Sequence, residues 1–185
     1  MRGGIWKGIR RIARRTTLAA FLVAGLFGWW RYHRRHEFDG LIREAASQYG
    51  VDARLISAVI WKESRFQPNV VGEAGEIGLM QVTEAAGWEW ARATGFYLFS
   101  PVDLFDPANN IQAGTWYLAR ALQRWSHHPD PLPFALAEYN AGRANVLRWT
   151  KKSGPDAGAF LEAITFPTTR RYIEDVARRY RRRVT

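Results

Sequence analysis

Glu63 is the residue whose place in the sequence best suits it to chemistry. It follows Ile56 by seven positions and Ile60 by three, so a helix would direct it along the same face as these apolar side chains. A carboxyl on an apolar face is desolvated, which raises its pKa and lets it act as a general acid near neutral pH. The alternative is a carboxylate at a helix end that pairs with Lys62 or Arg65.

Two further segments supply hydrogen-bonding groups that would complement such an acid. Residues 72–78 contain three glycines, which indicates a tight loop or small hairpin that a ligand can approach closely. Gln81 follows this loop, and Tyr139 and Asn140 lie at the end of a predicted helix. Amides both donate and accept hydrogen bonds, which suits sugar hydroxyls and acetamido groups. This context favours the general-acid interpretation of Glu63.

The segments that must position these residues are predicted to be helical. Capping residues, apolar side chains at helical spacing and stop signals define these segments. The predicted helices follow Asp39, follow Asp52, run from Pro107 to Trp125, cover residues 134–140 and 143–150, and run from a cap at Thr168 or Thr169 to about Arg181. Strand signals are confined to residues 70–78. We therefore predict a compact, mainly α domain with at most one small hairpin.

The positive charge lies at the two ends of the chain. The 185 residues include 27 Lys and Arg against 17 Asp and Glu, a net charge of +10. Residues 1–36 hold nine of the basic residues and no acid, and residues 170–185 hold seven against two acids. The body between them is acidic, so a nucleic-acid partner is not expected. The absence of cysteine excludes a disulfide framework and a cysteine nucleophile.

Residues 16–30 form an apolar run between basic flanks. As a helix this run would span about 22 Å, and interfacial Trp29 and Trp30 would help it to match a hydrocarbon core of ~30 Å. A cleaved signal peptide would need small residues before the cut, and a buried soluble helix would not be apolar on every face. We therefore predict a single transmembrane signal anchor within residues 1–36 and one domain over residues 37–185.

The flanking charges of this anchor also predict its orientation. Six Lys and Arg precede the apolar run and three follow it before residue 37. Because the more basic flank stays in the cytoplasm, the body is expected on the other side. The prediction is a single-pass protein of the inner (cytoplasmic) membrane with its domain on the periplasmic side.

Five segments of the body carry a further signal. They are residues 61–68 (WKESRFQP), 75–82 (GEIGLMQV), 110–118 (NIQAGTWYL), 139–142 (YNAG) and 166–172 (FPTTRRY). In order and spacing they resemble the catalytic domain of the soluble lytic transglycosylases, which cleave bacterial peptidoglycan. The resemblance covers about residues 40–180. One such motif would be weak, but five in the same order make a strong signal.

The resemblance implies a lysozyme-like α+β fold and a role for each matching residue. Glu63 would be the single acid and base. The residues that would line the cleft around it are Ser64, Met80, Gln81, Tyr139, Asn140 and Tyr172. The chain departs from the family pattern at three positions: Gly72 in place of the usual serine, Glu138 in place of a small residue, and Thr168 where a glutamate is common. These departures concern substrate contacts and leave the acid in place.

The resemblance also implies a reaction that needs one carboxyl. Glu63 would protonate the oxygen between N-acetylmuramic acid and N-acetylglucosamine, and would then take the proton of the muramoyl 6-hydroxyl as a 1,6-anhydro ring closes. No metal or organic cofactor is implied, and the expected partners of the monomer are peptidoglycan strands and the membrane. Two alternatives remain: a hydrolase like the goose-type lysozymes, and a peptidoglycan-binding module without activity.

Overall fold

The computed structural model describes residues 25, 26, 28 and 36–182. The chain forms two units, Met1–Asp39 and Gly40–Thr185, and the second contains nearly all of the described residues. The α-helices of the described part are α1 (Asp39–Tyr49), α2 (Ala53–Ser64), α3 (Glu84–Thr94), α4 (Pro107–Arg124), α5 (Leu132–Ala141), α6 (Arg143–Ser153), α7 (Ala157–Ala163) and α8 (Pro167–Arg181). A short 3₁₀ helix, Pro101–Phe105, precedes α4. This architecture confirms the predicted mainly α class.

Side-chain caps set the starts of several helices, as their sequences predict. The Asp52 side chain accepts a hydrogen bond from the backbone N–H of Arg54 at the start of α2. Asp106 accepts one from Asn109 at the start of α4, where Pro107 occupies the first turn. Such caps satisfy backbone donors that have no partner within the helix.

The predicted cap of the last helix is wrong. α8 begins at Pro167, after Phe166, which makes no side-chain capping bond. Thr169 lies inside the first turn of α8, and its buried hydroxyl bonds to another segment of the chain. Proline at the first helical position has no N–H to satisfy and a suitable φ, which is why α8 begins there.

Helix α5 is the centre of the fold. It packs against α4, α6, α7 and α8, and every residue from Pro133 to Glu138 is buried. Phe134 of this helix stacks on Phe160 of α7 with 4.1 Å between ring centroids. A helix that is apolar on every side is stable only when other helices surround it. The polar residues at its C-terminal end are therefore held on a rigid element.

The glycine-rich segment forms the only strand-like pairing among the described residues. Two isolated antiparallel bridges join Val71 to Ile77 and Ile77 to Val82. The prediction of at most one small hairpin is therefore consistent with the structure, whereas the β part of the implied α+β fold amounts to these bridges and not to a sheet.

Two helices have no counterpart in the sequence prediction. α3 begins after Thr83, whose side chain accepts from the Ala86 N–H, and α7 begins after Asp156, whose side chain accepts from the Ala159 N–H. Both caps are readable in the sequence. Gly87 in α3 and Gly158 in α7 weaken the helical pattern that follows each cap, because glycine disfavours helix interiors.

The predicted membrane anchor lies almost entirely outside the described residues. Within residues 25, 26, 28 and 36–182, no helix has the length and apolar character needed to cross a bilayer. The transmembrane helix therefore stays a prediction from the sequence.

Candidate functional site

Glu63 lies in the last turn of α2, where that helix packs against α8. Its Oε1 atom accepts a hydrogen bond of 2.7 Å from the Tyr172 hydroxyl of α8. Arg65 ends the helix in the left-handed conformation, with φ of 56°. The chain therefore turns away directly after the carboxyl and leaves it partly buried against its neighbours.

Burial raises the pKa of Glu63 from 4.5 to about 7. The hydrogen bond from Tyr172 and the positive charge of Lys62 act in the opposite direction, while the negative charge of Glu76 raises the pKa further. The Lys62 ammonium lies 2.6 Å from a carboxylate oxygen of Asp175. Desolvation outweighs the favourable contacts, so a large fraction of Glu63 is protonated near neutral pH.

Two tyrosines interact with this carboxyl: the buried Tyr172, through a hydrogen bond, and the half-buried Tyr139, through its electrostatic field. Burial and the nearby charge of Glu63 raise the pKa values of both Tyr139 and Tyr172 well above their usual value. Both phenols therefore stay neutral and donate hydrogen bonds. Tyr139 donates to the backbone oxygen of Met80 at 2.8 Å, which ties α5 to the segment before Gln81.

A cleft with a volume of about 200 Å³ opens beside Tyr139. Its lining includes Gln81, Tyr117, Tyr139 and Asn140. The Gln81 backbone has φ of 49°, a left-handed conformation that costs a non-glycine residue roughly 1 kcal/mol. Its side-chain amide donates to the backbone oxygens of Val70 and Gly78, so its orientation is set by the loop.

Asn140 is held by Thr169, one of the two residues predicted to cap α8. The buried Thr169 hydroxyl donates to Asn140 Oδ1 at 2.8 Å. Because the oxygen and nitrogen of one amide point apart, Asn140 Nδ2 is directed away from Thr169. Asn140 is exposed at the cleft, so its amide nitrogen Nδ2 is placed to donate hydrogen bonds to a ligand.

Ser64 and Met80 do not face the cleft. Ser64 is buried, and its hydroxyl donates to the backbone oxygens of Ile60 and Leu79. Met80 is fully buried. Both side chains thus support the cleft from behind, while Gln81, Tyr139, Asn140 and Tyr172 lie at the cleft or on Glu63.

Asn110, the first residue of the motif over residues 110–118, holds the loop between α2 and α3 in place. Its Oδ1 accepts from the Met80 N–H, and its Nδ2 donates to the backbone oxygens of Ile77 and Leu104, all at 2.8 Å. Gly78 has φ of 76°, and a Cβ there would stand 2.4 Å from Asn110 Nδ2. The loop can therefore reach this amide only with glycine at that position.

Glu138 is a buried partner of α4. It forms an ion pair with Arg124, and its Oε2 accepts a hydrogen bond of 2.7 Å from the Trp125 indole. Only 2% of its side chain is exposed. The buried carboxylate is therefore matched by a cation from α4 and by a donor from the residue that follows that helix. Among the described residues, no group of three or more His, Cys, Asp and Glu could hold a metal ion.

Sequence comparison matches most of this chain to a known family. A family model described as the transglycosylase SLT domain matches residues 40–159. Membrane-bound lytic murein transglycosylase C of Klebsiella pneumoniae is 41% identical over 121 residues, which cover 62% of this chain and 34% of the relative. The same-named protein of Sodalis glossinidius is 38% identical over 127 residues, with the same coverage. The chain spans about a third of the length of these curated relatives.

Structural comparison agrees with the family match. The 70 kDa soluble lytic transglycosylase of Escherichia coli superposes with a TM-score of 0.70 at 29% identity, over 77% of this chain and 23% of that one. An inactive mutant of the lytic transglycosylase Slt of Pseudomonas aeruginosa gives 0.69 at 27% identity, over 76% and 23%. Since the family model matches well over half of its residues, the chain belongs to the transglycosylase SLT family.

Proposed function

We propose that this protein is a peptidoglycan lytic transglycosylase. It cleaves the β-1,4 bond between N-acetylmuramic acid and N-acetylglucosamine and leaves a 1,6-anhydro-muramoyl end. The observation that carries the proposal is the state of Glu63, a partly buried carboxyl with a pKa of about 7 whose charge acts on Tyr139, a residue of the cleft lining. The relatives named lytic murein transglycosylases support the substrate class.

Glu63 acts twice in the proposed reaction. As a neutral acid it gives its proton to the glycosidic oxygen while the bond from that oxygen to the muramoyl C1 breaks. The muramoyl 6-hydroxyl oxygen then forms a bond to C1, and its proton returns to Glu63. Because the nucleophile belongs to the same sugar, its attack has a large entropic advantage over that of water.

The groups around Glu63 support both steps. Tyr172 donates to Oε1, which orients the carboxyl and stabilises its ionised form between the two proton transfers. Gln81 offers its amide oxygen and Asn140 its amide N–H groups to the sugar hydroxyls and acetamido groups in the cleft.

We also propose that residues 1–36 anchor the protein in the inner membrane, with the domain on the periplasmic side. The basic flanks of the apolar run support this topology, and the printed names of the relatives describe those proteins as membrane-bound. Peptidoglycan lies on that side of the membrane, so the topology agrees with the proposed substrate.

The full-length protein in detergent, incubated with purified cell-wall sacculi, provides the test. We expect released muropeptides that are lighter by one water than hydrolysis products, as the mass spectrum would record. Reducing ends that carry the added water would instead identify a hydrolase of the goose-type lysozyme kind. Binding to sacculi without any released product would identify a binding module.

The variant Glu63→Gln tests the assignment of the acid. Glutamine can accept the Tyr172 bond but cannot supply a proton, so we expect product release to fall by about 10²–10⁴-fold. The control is Glu174→Gln, which changes an exposed carboxylate on α8 and should leave release unchanged. Glu138→Gln should also lose far less activity than Glu63→Gln, although its buried ion pair makes it a poorer control. Near-full activity of Glu63→Gln would contradict the proposal.

A further inference from the structure

Another cavity lies between the end of α2 and the C-terminal half of α8. It has a volume of about 200 Å³, and its lining residues, which we call the arginine cavity, are Trp61, Asp175, Arg178, Arg179 and Arg182. None of them lines the cleft beside Tyr139. Three arginines against one aspartate leave an excess of positive charge, so the arginine cavity suits an anionic ligand.

Trp61 stacks on two guanidinium groups at the arginine cavity. Arg65 Cζ lies 3.3 Å from the centre of the Trp61 ring, and Arg179 Cζ lies 3.4 Å from it. Two planar groups at this separation cannot share one side of a ring, so the guanidinium groups cover its two faces. A sugar therefore cannot stack on Trp61. The N–H groups of a stacked guanidinium lie at its edges, where their fork matches two phosphate oxygens.

The acidic residue of the arginine cavity does not neutralise it. Asp175 pairs with Lys62 at 2.6 Å and also with Arg178, so one carboxylate already faces two cations. Cations at the end of α8 are favourable to the helix dipole, but that effect does not account for Arg65, which comes from the end of α2. The tertiary structure therefore concentrates positive charge from two helices at one place.

We propose that the arginine cavity binds the phosphate headgroups of anionic phospholipids and so docks the domain on the membrane surface. Arginine attracts such headgroups, and tryptophan is common at the level of the headgroups. Under the proposed topology the membrane is close by, because residues 31–38 alone join the apolar run to α1 and span less than about 30 Å when extended. This role does not depend on the chemistry of Glu63.

A fluorescent label on the full-length protein tests this inference. The chain has no cysteine, so Glu174→Cys provides a single labelling site, exposed and one turn before Arg178 on α8. The labelled protein is reconstituted in vesicles of phosphatidylcholine alone or of an equal mixture with phosphatidylglycerol. Both contain a trace of lipid with a spin-labelled headgroup, which quenches the fluorescence of a label at the membrane surface.

We expect stronger quenching in the anionic vesicles and a loss of this difference at high salt. Arg178→Gln combined with Arg182→Gln should shift the equilibrium between docked and undocked domains about tenfold towards the undocked state. Arg179→Lys keeps the charge but loses the planar group that stacks on Trp61, and should shift it about threefold. Lys151→Gln combined with Lys152→Gln removes two exposed charges from α6 and should match the protein with the label alone.

Equal quenching in the two kinds of vesicle, or an equal loss in the two double variants, would overturn the docking. Weaker binding of the Arg178 and Arg182 double variant to sacculi, with unchanged quenching, would also overturn it and would assign the arginine cavity to the cell wall.

Muropeptide release in detergent keeps this inference separate from the proposed function. The Arg178 and Arg182 double variant should retain full release, because the arginine cavity and the cleft share no residue, and this result also shows that the variant is folded. A protein that released no product would contradict the proposed function and leave the quenching result unaffected. Circular dichroism would then verify the fold.

Discussion

At Glu63 a single carboxyl is subject to opposing effects, and burial is the largest of them. The folded-state pKa of about 7 exceeds the ordinary value of 4.5, so the folded protein binds the proton more tightly than the unfolded chain does. The contribution of Glu63 to the free energy of unfolding is therefore fully present below pH 4.5, and it is lost as the pH rises through 7. The burial that makes Glu63 a suitable acid therefore destabilises the fold at neutral and alkaline pH, where the carboxyl is ionised.

This linkage predicts that Glu63→Gln stabilises the protein in a pH-dependent way. At about pH 8 the free energy of unfolding should exceed that of the unaltered protein by about 2 kcal/mol, because a neutral amide replaces an ionised, partly buried carboxylate. Below pH 4.5 the two proteins should be equally stable. Urea unfolding at both pH values measures the difference. A stability gain that does not depend on pH would contradict the raised pKa.

Thr169 is the residue through which α8 orients the amide of Asn140. Thr169→Val keeps the volume but removes the hydroxyl, so Asn140 loses its fixed orientation and the fold loses about 1 kcal/mol. We expect binding to sacculi to weaken about threefold or more in the inactive Glu63→Gln background, measured by co-sedimentation. Thr169→Ser keeps the donor and should restore binding. Equal binding by the valine and serine variants would show that the bond does not affect the ligand.

At the scale of secondary structure, the loop between α2 and α3 depends on one amide from α4. Asn110 bonds to the backbone at Ile77, Met80 and Leu104, which joins the loop to α4 and the 3₁₀ helix. Buried backbone groups that lose their partners are costly, because water cannot replace the bond. The loop that carries Gln81 is therefore only as stable as this connection.

Asn110→Ala is expected to destabilise the protein by about 3 kcal/mol, since three buried hydrogen bonds are lost at once. It should also reduce activity, because Gln81 loses its fixed position. Thermal unfolding and product release measure the two effects. Asn69→Ala, in an exposed position of the same loop, should change neither. An equal effect of the two substitutions would exclude a special role for Asn110.

For the whole molecule, the topology prediction concerns residues that the structure does not describe. If residues 16–30 form an uncleaved anchor, the full-length protein should fractionate with membranes and resist carbonate extraction. A protease added to the periplasmic side should digest the domain and leave the N-terminus protected. A soluble mature protein that begins near residue 25–37 would instead identify a cleaved signal peptide.

The amino-acid sequence by itself determined the features that depend on near neighbours. The caps of α2 and α4 at Asp52 and Asp106 were predictable because each cap bond spans only two or three residues. The placement of Glu63 towards the protein interior followed from helical periodicity, and the order of the five motifs identified the family. The prediction of the α8 cap was wrong because α8 begins earlier, at Pro167, and the Thr169 hydroxyl makes a tertiary contact with Asn140.

Only the tertiary structure decided which of these residues meet. Tyr172 reaches Glu63 across 109 positions because α8 packs on α2, a pairing that neither helix specifies in its own sequence. Ser64 turns inward because its hydroxyl finds backbone acceptors there. The carboxylate of Glu76 faces Gly72 because hydrogen bonds fold the loop back on itself. Such contacts arise from packing and loop closure, which periodicity and capping rules do not encode.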